Sequence, residues 1–326
     1  MSRSPIDDAR VTRAVRRHLG DVAGIADLHR LSGGASRETW AFDVVRDDGG
    51  RHNLILRRDP GPAIGEASRA TEYELVRAAQ LAGVPVPTVR FLLDEDDALG
   101  SGFVMDRVEG ATIPRKILRD DTYADARSVM TGQCADIAAE IHAVELSTLP
   151  KLATLGAVEQ IAQHRAILDG FGEPHPAFEL GLRWLEQHAP EPSPPGLVHG
   201  DFRLGNFIVG PEGIRAVLDW ELAHLGDPIE DLGWLCVKSW RFGNVQREVG
   251  GFGDADELLE RYGEATGTTV PSGRLRYWQV LGTVKWGVIC ELQCFSHLNG
   301  QVRSVELAAL GRRVAEMEWD LLELIG

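Results

Sequence analysis

One stretch of this chain, Leu197-Val-His-Gly-Asp-Phe-Arg-Leu-Gly-Asn206, restricts its fold and chemistry more than any other. Apolar residues flank it on both sides, so its loop is expected to be buried, and a buried carboxylate such as Asp201 needs a partner or a metal. Beyond it, Phe207-Ile-Val209 reads as a strand, Gly210-Pro-Glu-Gly213 as a turn and Ile214-Arg-Ala-Val-Leu218 as a returning strand. That hairpin is expected to fold Asp219 back beside Asn206. Mg²⁺ is a hard cation that takes oxygen ligands, and Asn206 Oδ1 with the Asp219 carboxylate offers them without crowding three negative charges into one pocket. Asp201 is then left as an acceptor-orienting base. This set suits phosphoryl transfer, in which charge on the moving group must be met by metal ions and by cationic or N–H donors.

At these residues the chain resembles the aminoglycoside phosphotransferase and choline kinase superfamily, the small-molecule relatives of protein kinases. Its segments HGDFRLGN and LDWELAHLGDPIEDL are especially similar to the kinase-like module associated with acyl-CoA dehydrogenases. The resemblance runs from the Gly-rich turn near Gly33 to the helices after Pro271. It implies an α+β, bilobal protein-kinase-like fold: residues 1–108 as a small nucleotide-clamping lobe with an antiparallel sheet plus helix, residues 109–326 as a larger, mostly helical catalytic and acceptor-binding lobe. It further implies ATP and Mg²⁺ as cofactors, Asp201 as catalytic base, and Asn206 and Asp219 as metal ligands. By the same resemblance His199 braces the loop from within, and Asp227 helps to fix the metal-binding loop.

The amino-terminal third can be read beside that expectation. Leu31 to Asp43 begins with a Gly pair and runs into an alternating apolar segment, and His52 to Arg57 is a second such segment across a Gly-Gly turn. Together they suggest a hairpin whose tip, Gly33, Gly34, Ala35 and Ser36, turns backbone N–H groups toward phosphates. Kinases place a Lys at the end of the following strand, paired with a helical Glu. Here the position falls on Arg57, or else on Arg58; a guanidinium holds phosphate bidentately but with different reach. The partner is expected on a helix from Glu66 to Leu81 that stops at Gly83 before Pro85, with Glu72 the best match and Glu74 the runner-up. Thr88 to Leu93 and Gly102 to Val108 read as two more strands. The resemblance makes the end of the second, at Met105, Asp106 and Val108, the segment that meets the adenine.

The remainder is helix-rich, with apolar periodicity over Tyr123 to Ala143, Val158 to Leu168, Ala177 to His188, Leu275 to Leu298 and Val302 to Leu324. Asp227-Pro228 reads as an N-cap followed by Pro at the first helical position, which makes Asp227 and Asp231 structural. Cys290, Cys294 and His297 share a helical face but lack the fourth ligand of a closed tetrahedral site.

A formal net charge of -15 argues against a nucleic-acid or anionic-membrane partner. Four scattered cysteines give no disulfide framework, and the charged amino terminus is no secretion signal, so a cytoplasmic location is expected. The expected acceptor is a small molecule with a hydroxyl, and monomer and homodimer stay open. For an acceptor that is a hydroxy acid or its CoA thioester, Arg115, Lys116, Arg119 and Arg203 are the candidate basic patch. Two rivals remain: a catalytically silent nucleotide-binding homologue, suggested by Arg57 in place of Lys, and a metal-dependent hydrolase.

Overall fold

The computed structural model describes residues 6–31, 38–59 and 68–326. Gly33, Gly34, Ala35 and Ser36, expected at the phosphate-facing tip, lie outside the described residues, as does the expected helix start at Glu66. The chain divides into two compact units: one comprises residues 1–110 with 147–150 and 215–221, the other 111–146, 151–214 and 222–326.

The first unit opens with helix α1 (Asp8–Leu19). Asp7 caps it by accepting from Arg10 N at 2.8 Å, and Val11, Ala14 and Val15 form its buried stripe. Strands β1 (Val22–Arg30), β2 (Glu38–Arg46) and β3 (Arg51–Asp59) follow, then helix α2 (Arg69–Leu81), β4 (Val89–Leu92) and β5 (Ser101–Asp106). The strands form one antiparallel sheet in the order β1-β2-β3-β5-β4. Successive side chains on a strand point to opposite faces, and both faces of this sheet are covered. Phe42, Val44, Leu54, Leu56 and Val104 cluster with the apolar stripe of α1. Ala41, Ile55, Phe103 and Met105 form a second cluster, against which Tyr73 of α2 packs. Parity therefore sends Arg57 to the α2 face, with Ile55, and Arg58 to the α1 face, with Leu54 and Leu56.

Neither α1 nor β1 is expected from the pattern. The stripe of α1 is three residues among many charges, and β1 is irregular against β2, with register shifts between Val22 and Gly24 and between Ala26 and His29. The amino end of α2 is set by Ser68, whose hydroxyl accepts from Thr71 N at 3.1 Å.

The second unit is mostly helical: α3 (Pro114–Arg119), α4 (Ala124–His142), α5 (Ala157–Phe171) and α6 (Pro176–Gln187) precede the short strands β6 (Gly196–Val198), β7 (Phe207–Gly210), β8 (Gly213–Val217) and β9 (His224–Gly226). Strands β6 and β9 pair, as do β7 and β8, and residues 215–217 of β8 are counted with the first unit. Then come α7 (Ile229–Cys236), α8 (Ala255–Thr266), α9 (Ser272–Leu298), α10 (Val305–Leu310) and α11 (Val314–Ile325). Helix α9 is the centre of this unit and packs against α6, α7, α10 and α11. The single helix expected over Val302 to Leu324 is two helices joined by a 3₁₀ turn at Gly311–Arg313. At that joint a Cβ on Gly311 would stand 2.5 Å from Cys294 Sγ, so the close approach to α9 requires Gly.

Candidate active site

Strand β6 delivers the chain into the loop from His199 to Asn206, and α7 and α9 of the second unit hold this loop. Asp231, on α7, accepts from His199 N at 2.8 Å and from Gly200 N at 2.9 Å, while His142 Nε2 lies 3.2 Å from it. Burial opposes the Asp231 charge, but His142, His199 and the loop N–H groups outweigh it and hold its carboxyl below the usual range. Lys285, on α9, donates to Gly200 O at 3.0 Å. Inside the loop, Asp201 N approaches His199 Nδ1 at 3.2 Å, so His199 braces the turn from within. Gly200 has a φ of 80°, and a Cβ there would meet Leu222 O at 2.4 Å, so the sharp turn before Asp201 admits only Gly.

The Asp201 carboxylate is thereby aimed at a defined set of donors. Oδ1 accepts from Trp234 Nε1 and from Arg203 Nε, each at 2.8 Å. Oδ2 accepts from Asn206 Nδ2 at 2.6 Å and from Arg203 Nη2 at 3.2 Å. Asn206 Nδ2 also donates to Asp201 O at 2.9 Å, so the amide nitrogen is committed to the loop and Oδ1 is the atom left for a cation.

Behind the loop lies a second buried network. Glu230 lies 3.3 Å from Lys285, 3.1 Å from His224 and 2.6 Å from Gln160. Burial disfavours its charge, but Lys285, His224 and Gln160 prevail and hold its carboxyl down at about 2.

The other expected site residues belong to the first unit. Arg57, at the end of β3, places Nη2 2.6 Å from Asp219 Oδ1 and Nη1 3.2 Å from Glu72 Oε1. Glu72 is buried on α2 and also pairs with Arg69. Arg58 turns away: it pairs with Glu38 at 2.9 Å and donates to Leu99 O at 2.7 Å. Glu74 is solvent-facing and pairs with Arg77 at 3.3 Å. Strand alternation and helix phase thus bring together Arg57 and Glu72, and not Arg58 and Glu74. Asp219 has a φ of 62°, a left-handed conformation that costs a non-Gly residue energy and that clusters at functional sites. Asn206 and Asp219 are counted in different compact units.

Of the expected adenine segment, Met105 is buried in the cluster on the α2 face. The Asp106 carboxylate is paired with Arg90 at 2.6 Å and His52 at 2.7 Å, and its N–H donates to Thr88 O at 2.9 Å. Val108 lies past the end of β5 and is half-buried.

The sequence profile of the phosphotransferase enzyme family matches residues 27–271. The chain belongs to this family. Among curated relatives of this phosphotransferase-family chain, acyl-CoA dehydrogenase family member 10 of Mus musculus is 32% identical over 253 residues, covering 69% of the chain and 23% of that protein. Acyl-CoA dehydrogenase family member 11 of Pongo abelii is 26% identical over 239 residues, covering 64% of the chain and 29% of that protein. The chain thus spans only 23% and 29% of the length of these two relatives. Among solved structures, a Ralstonia eutropha protein provisionally named an aminoglycoside phosphotransferase superimposes with a TM-score of 0.77 at 23% identity, with 98% of each chain covered. The aminoglycoside phosphotransferase APH(4)-Ia, in ternary complex with AMP-PNP and hygromycin B, gives 0.63 at 18% identity, with 97% of each chain covered. At these identities the structures establish the kinase-like α+β fold.

Two features of this phosphotransferase-family site differ from the reading of the sequence. The carboxylate bonded to the Asp201 loop is Asp231, whereas Asp227 accepts from Ile229 N at 3.0 Å, Trp278 Nε1 at 3.0 Å and Arg274 at 2.5 Å and so ties α7 to α9. Trp234 and Lys285 go unnoticed in the sequence. Trp234 follows Asp231 by three positions, so both face the loop from one side of α7, and Lys285 is a lone cation in the apolar run Thr283-Val-Lys-Trp-Gly-Val288. The basic residues expected for a CoA-type acceptor lie on two segments, Arg115, Lys116 and Arg119 on α3 and Arg203 in the Asp201 loop. Arg115 lines a cavity of about 810 Å³ with Lys238, Phe242, Arg313 and Trp319; Lys116 lies 6.0 Å from the Tyr123 ring; Arg119 is exposed; and Arg203 is bound to Asp201.

Proposed function

We propose that the chain transfers the γ-phosphoryl of ATP, with Mg²⁺, to the hydroxyl of a small molecule. The observation that carries this reading is the Asp201 carboxylate held beside Asn206 by a loop that Asp231 and Lys285 fix from behind. Asp201 is the base that orients the acceptor hydroxyl and takes its proton as the new phosphoester bond forms. Asn206 Oδ1 and the Asp219 carboxylate would be the oxygen donors that hold Mg²⁺, which would neutralise charge on the phosphates. Arg57 is the phosphate-binding cation, kept in place by Glu72. Among the described residues its buried Nε has no partner, which fits an anion that completes its hydrogen bonding. Gly33, Gly34, Ala35 and Ser36 are assigned to the phosphate loop, and Met105, Asp106 and Val108 to the adenine segment.

For the acceptor we infer a hydroxy acid or a hydroxyacyl-CoA. The names of the relatives, acyl-CoA dehydrogenase family members, support a CoA-linked acceptor. The complex of APH(4)-Ia with AMP-PNP and hygromycin B supports an ATP-like donor with a small-molecule acceptor. The test is an ATP-consumption screen against hydroxyacyl-CoAs, aminoglycosides and amino alcohols, with detection of the phosphorylated product. Transfer to one class that disappears in Asp201→Asn is the expected result, and MgATP binding with no transfer to any of them favours a silent nucleotide-binding homologue. That second reading draws on Arg57, an Arg where kinases carry Lys, already shared between two carboxylates.

A further inference from the structure

A carboxylate offers about four lone-pair sites, and all four at Asp201 are taken: one by Trp234, one by Asn206 and two by the bidentate Arg203. An acceptor hydroxyl can donate to this base only when one of the four donors leaves. Trp234 is buried in the apolar cluster with Val237 and Trp240, and Asn206 is buried and bonded twice to the residue it would have to leave. Arg203 is different. Its side chain is 23% exposed, and its guanidinium lies 4.4 Å from the centroid of the Trp240 ring. It can turn away from Asp201 and keep that stacking, an attraction of about 0.5–2 kcal/mol. Gly205 accommodates the guanidinium in its bound position: its φ is 124°, and a Cβ there would stand 2.6 Å from Arg203 Nη1.

From this geometry we propose that Arg203 is a positioning residue that latches the catalytic base and is displaced by the acceptor. The inference rests on the proposed phosphotransferase reading and deepens it. While latched, Asp201 is charge-neutralised and has no lone pair for a passing water. An acceptor bound through several contacts displaces the guanidinium and presents its hydroxyl to the freed carboxylate. The acceptor oxygen then bonds to the γ-phosphorus as the bond from that phosphorus to the bridging oxygen breaks, the acceptor proton passes to Asp201, and ADP leaves. The latch therefore acts against water as a competing acceptor.

The test compares the parent chain with Arg203→Met and Arg203→Lys, measuring ADP release from MgATP without acceptor, MgATP affinity and the melting temperature. The expected result is a rise of about 5-fold or more in acceptor-independent hydrolysis for Arg203→Met, a fraction of the general-base effect that the freed carboxylate can exert. Arg203→Lys, which keeps the charge, should return it toward the parent rate. A merely structural role lowers activity and does not create a new hydrolytic one. Hydrolysis unchanged or reduced in both variants, with MgATP affinity and melting temperature at parent values, overturns the latch. Failure of the parent chain to bind MgATP instead overturns the phosphotransferase reading. Should Arg203→Met fold poorly, Arg203→Gln, which removes the charge and keeps an N–H donor, is read in its place against the same outcomes.

Discussion

Arg57 joins Asp219 at 2.6 Å through one guanidinium nitrogen and Glu72 at 3.2 Å through the other, so one side chain ties the end of β3 both to α2 and to the segment that follows β8. Burial alone would disfavour its charge, and the two carboxylates outweigh that cost. The pair positions a cation and a candidate metal ligand with one contact.

Arg57→Ala should weaken MgATP binding and also destabilise the chain. Removing one partner of a buried ion pair typically costs about 3–5 kcal/mol; Arg69, which also pairs with Glu72, should keep the loss toward the lower figure. Calorimetric titration with MgATP and urea unfolding check the two effects separately. Arg57→Lys should recover part of the affinity, because a single ammonium cannot hold both carboxylates as the planar fork does.

Asp201→Asn should reduce transfer by about 100-fold or more, the usual range for loss of a general base. MgATP affinity should stay near the parent value, since the amide still accepts from Trp234. Asp219→Ala should do the reverse, lowering nucleotide affinity in Mg²⁺ more than in its absence. Equal effects of Mg²⁺ on Asp219→Ala and the parent would remove Asp219 from the metal set.

Asp231→Ala removes the carboxylate that accepts from His199 N and Gly200 N. Each unsatisfied buried donor costs about 1–3 kcal/mol, so the loop should loosen and the chain lose stability. Hydrogen exchange at Gly200 and Asp201 should accelerate ahead of the rest of the second unit. Asp227→Ala, whose carboxylate contacts α7 and α9 and not the loop, should destabilise the chain without that local signature.

Glu230 and His224 set a pH window for stability. Glu230 is held at about 2, below its ordinary 4.5, so its contribution is present above about 4.5 and is lost as pH falls toward about 2. The displacement corresponds to about 3 kcal/mol. His224 lies above its ordinary 6.5: burial opposes its charge, but Glu230 outweighs it, so its contribution is present below about 6.5 and is lost as pH rises through the raised value. The pair should therefore stabilise the fold most between about 4.5 and 6.5. Glu230→Gln should flatten the acid limb of melting temperature against pH, and an unchanged acid limb would refute the assignment.

Local pattern alone made Asp201, Asn206 and Asp219 stand out, because spacing along one loop and hairpin is a short-range property and the chemistry of hard oxygen ligands is independent of the rest of the chain. Apolar periodicity likewise located α4, α5, α6 and α9 to within a few residues, since a buried helical stripe must recur with the helical repeat. The resemblance ranked Arg57 above Arg58 and Glu72 above Glu74, but pattern alone could not settle either choice. That choice needed the sheet and α2 in place, since only packing says which face of a strand or helix is inside. Nor could it separate Asp227 from Asp231: both sit where a helix begins, and only the approach of the loop shows which one receives its N–H groups. Lys285 stands 85 residues from the Gly200 carbonyl it bonds. A contact at that separation is created by the packing of α9 against α7 and leaves no local trace beyond one charge in an apolar run.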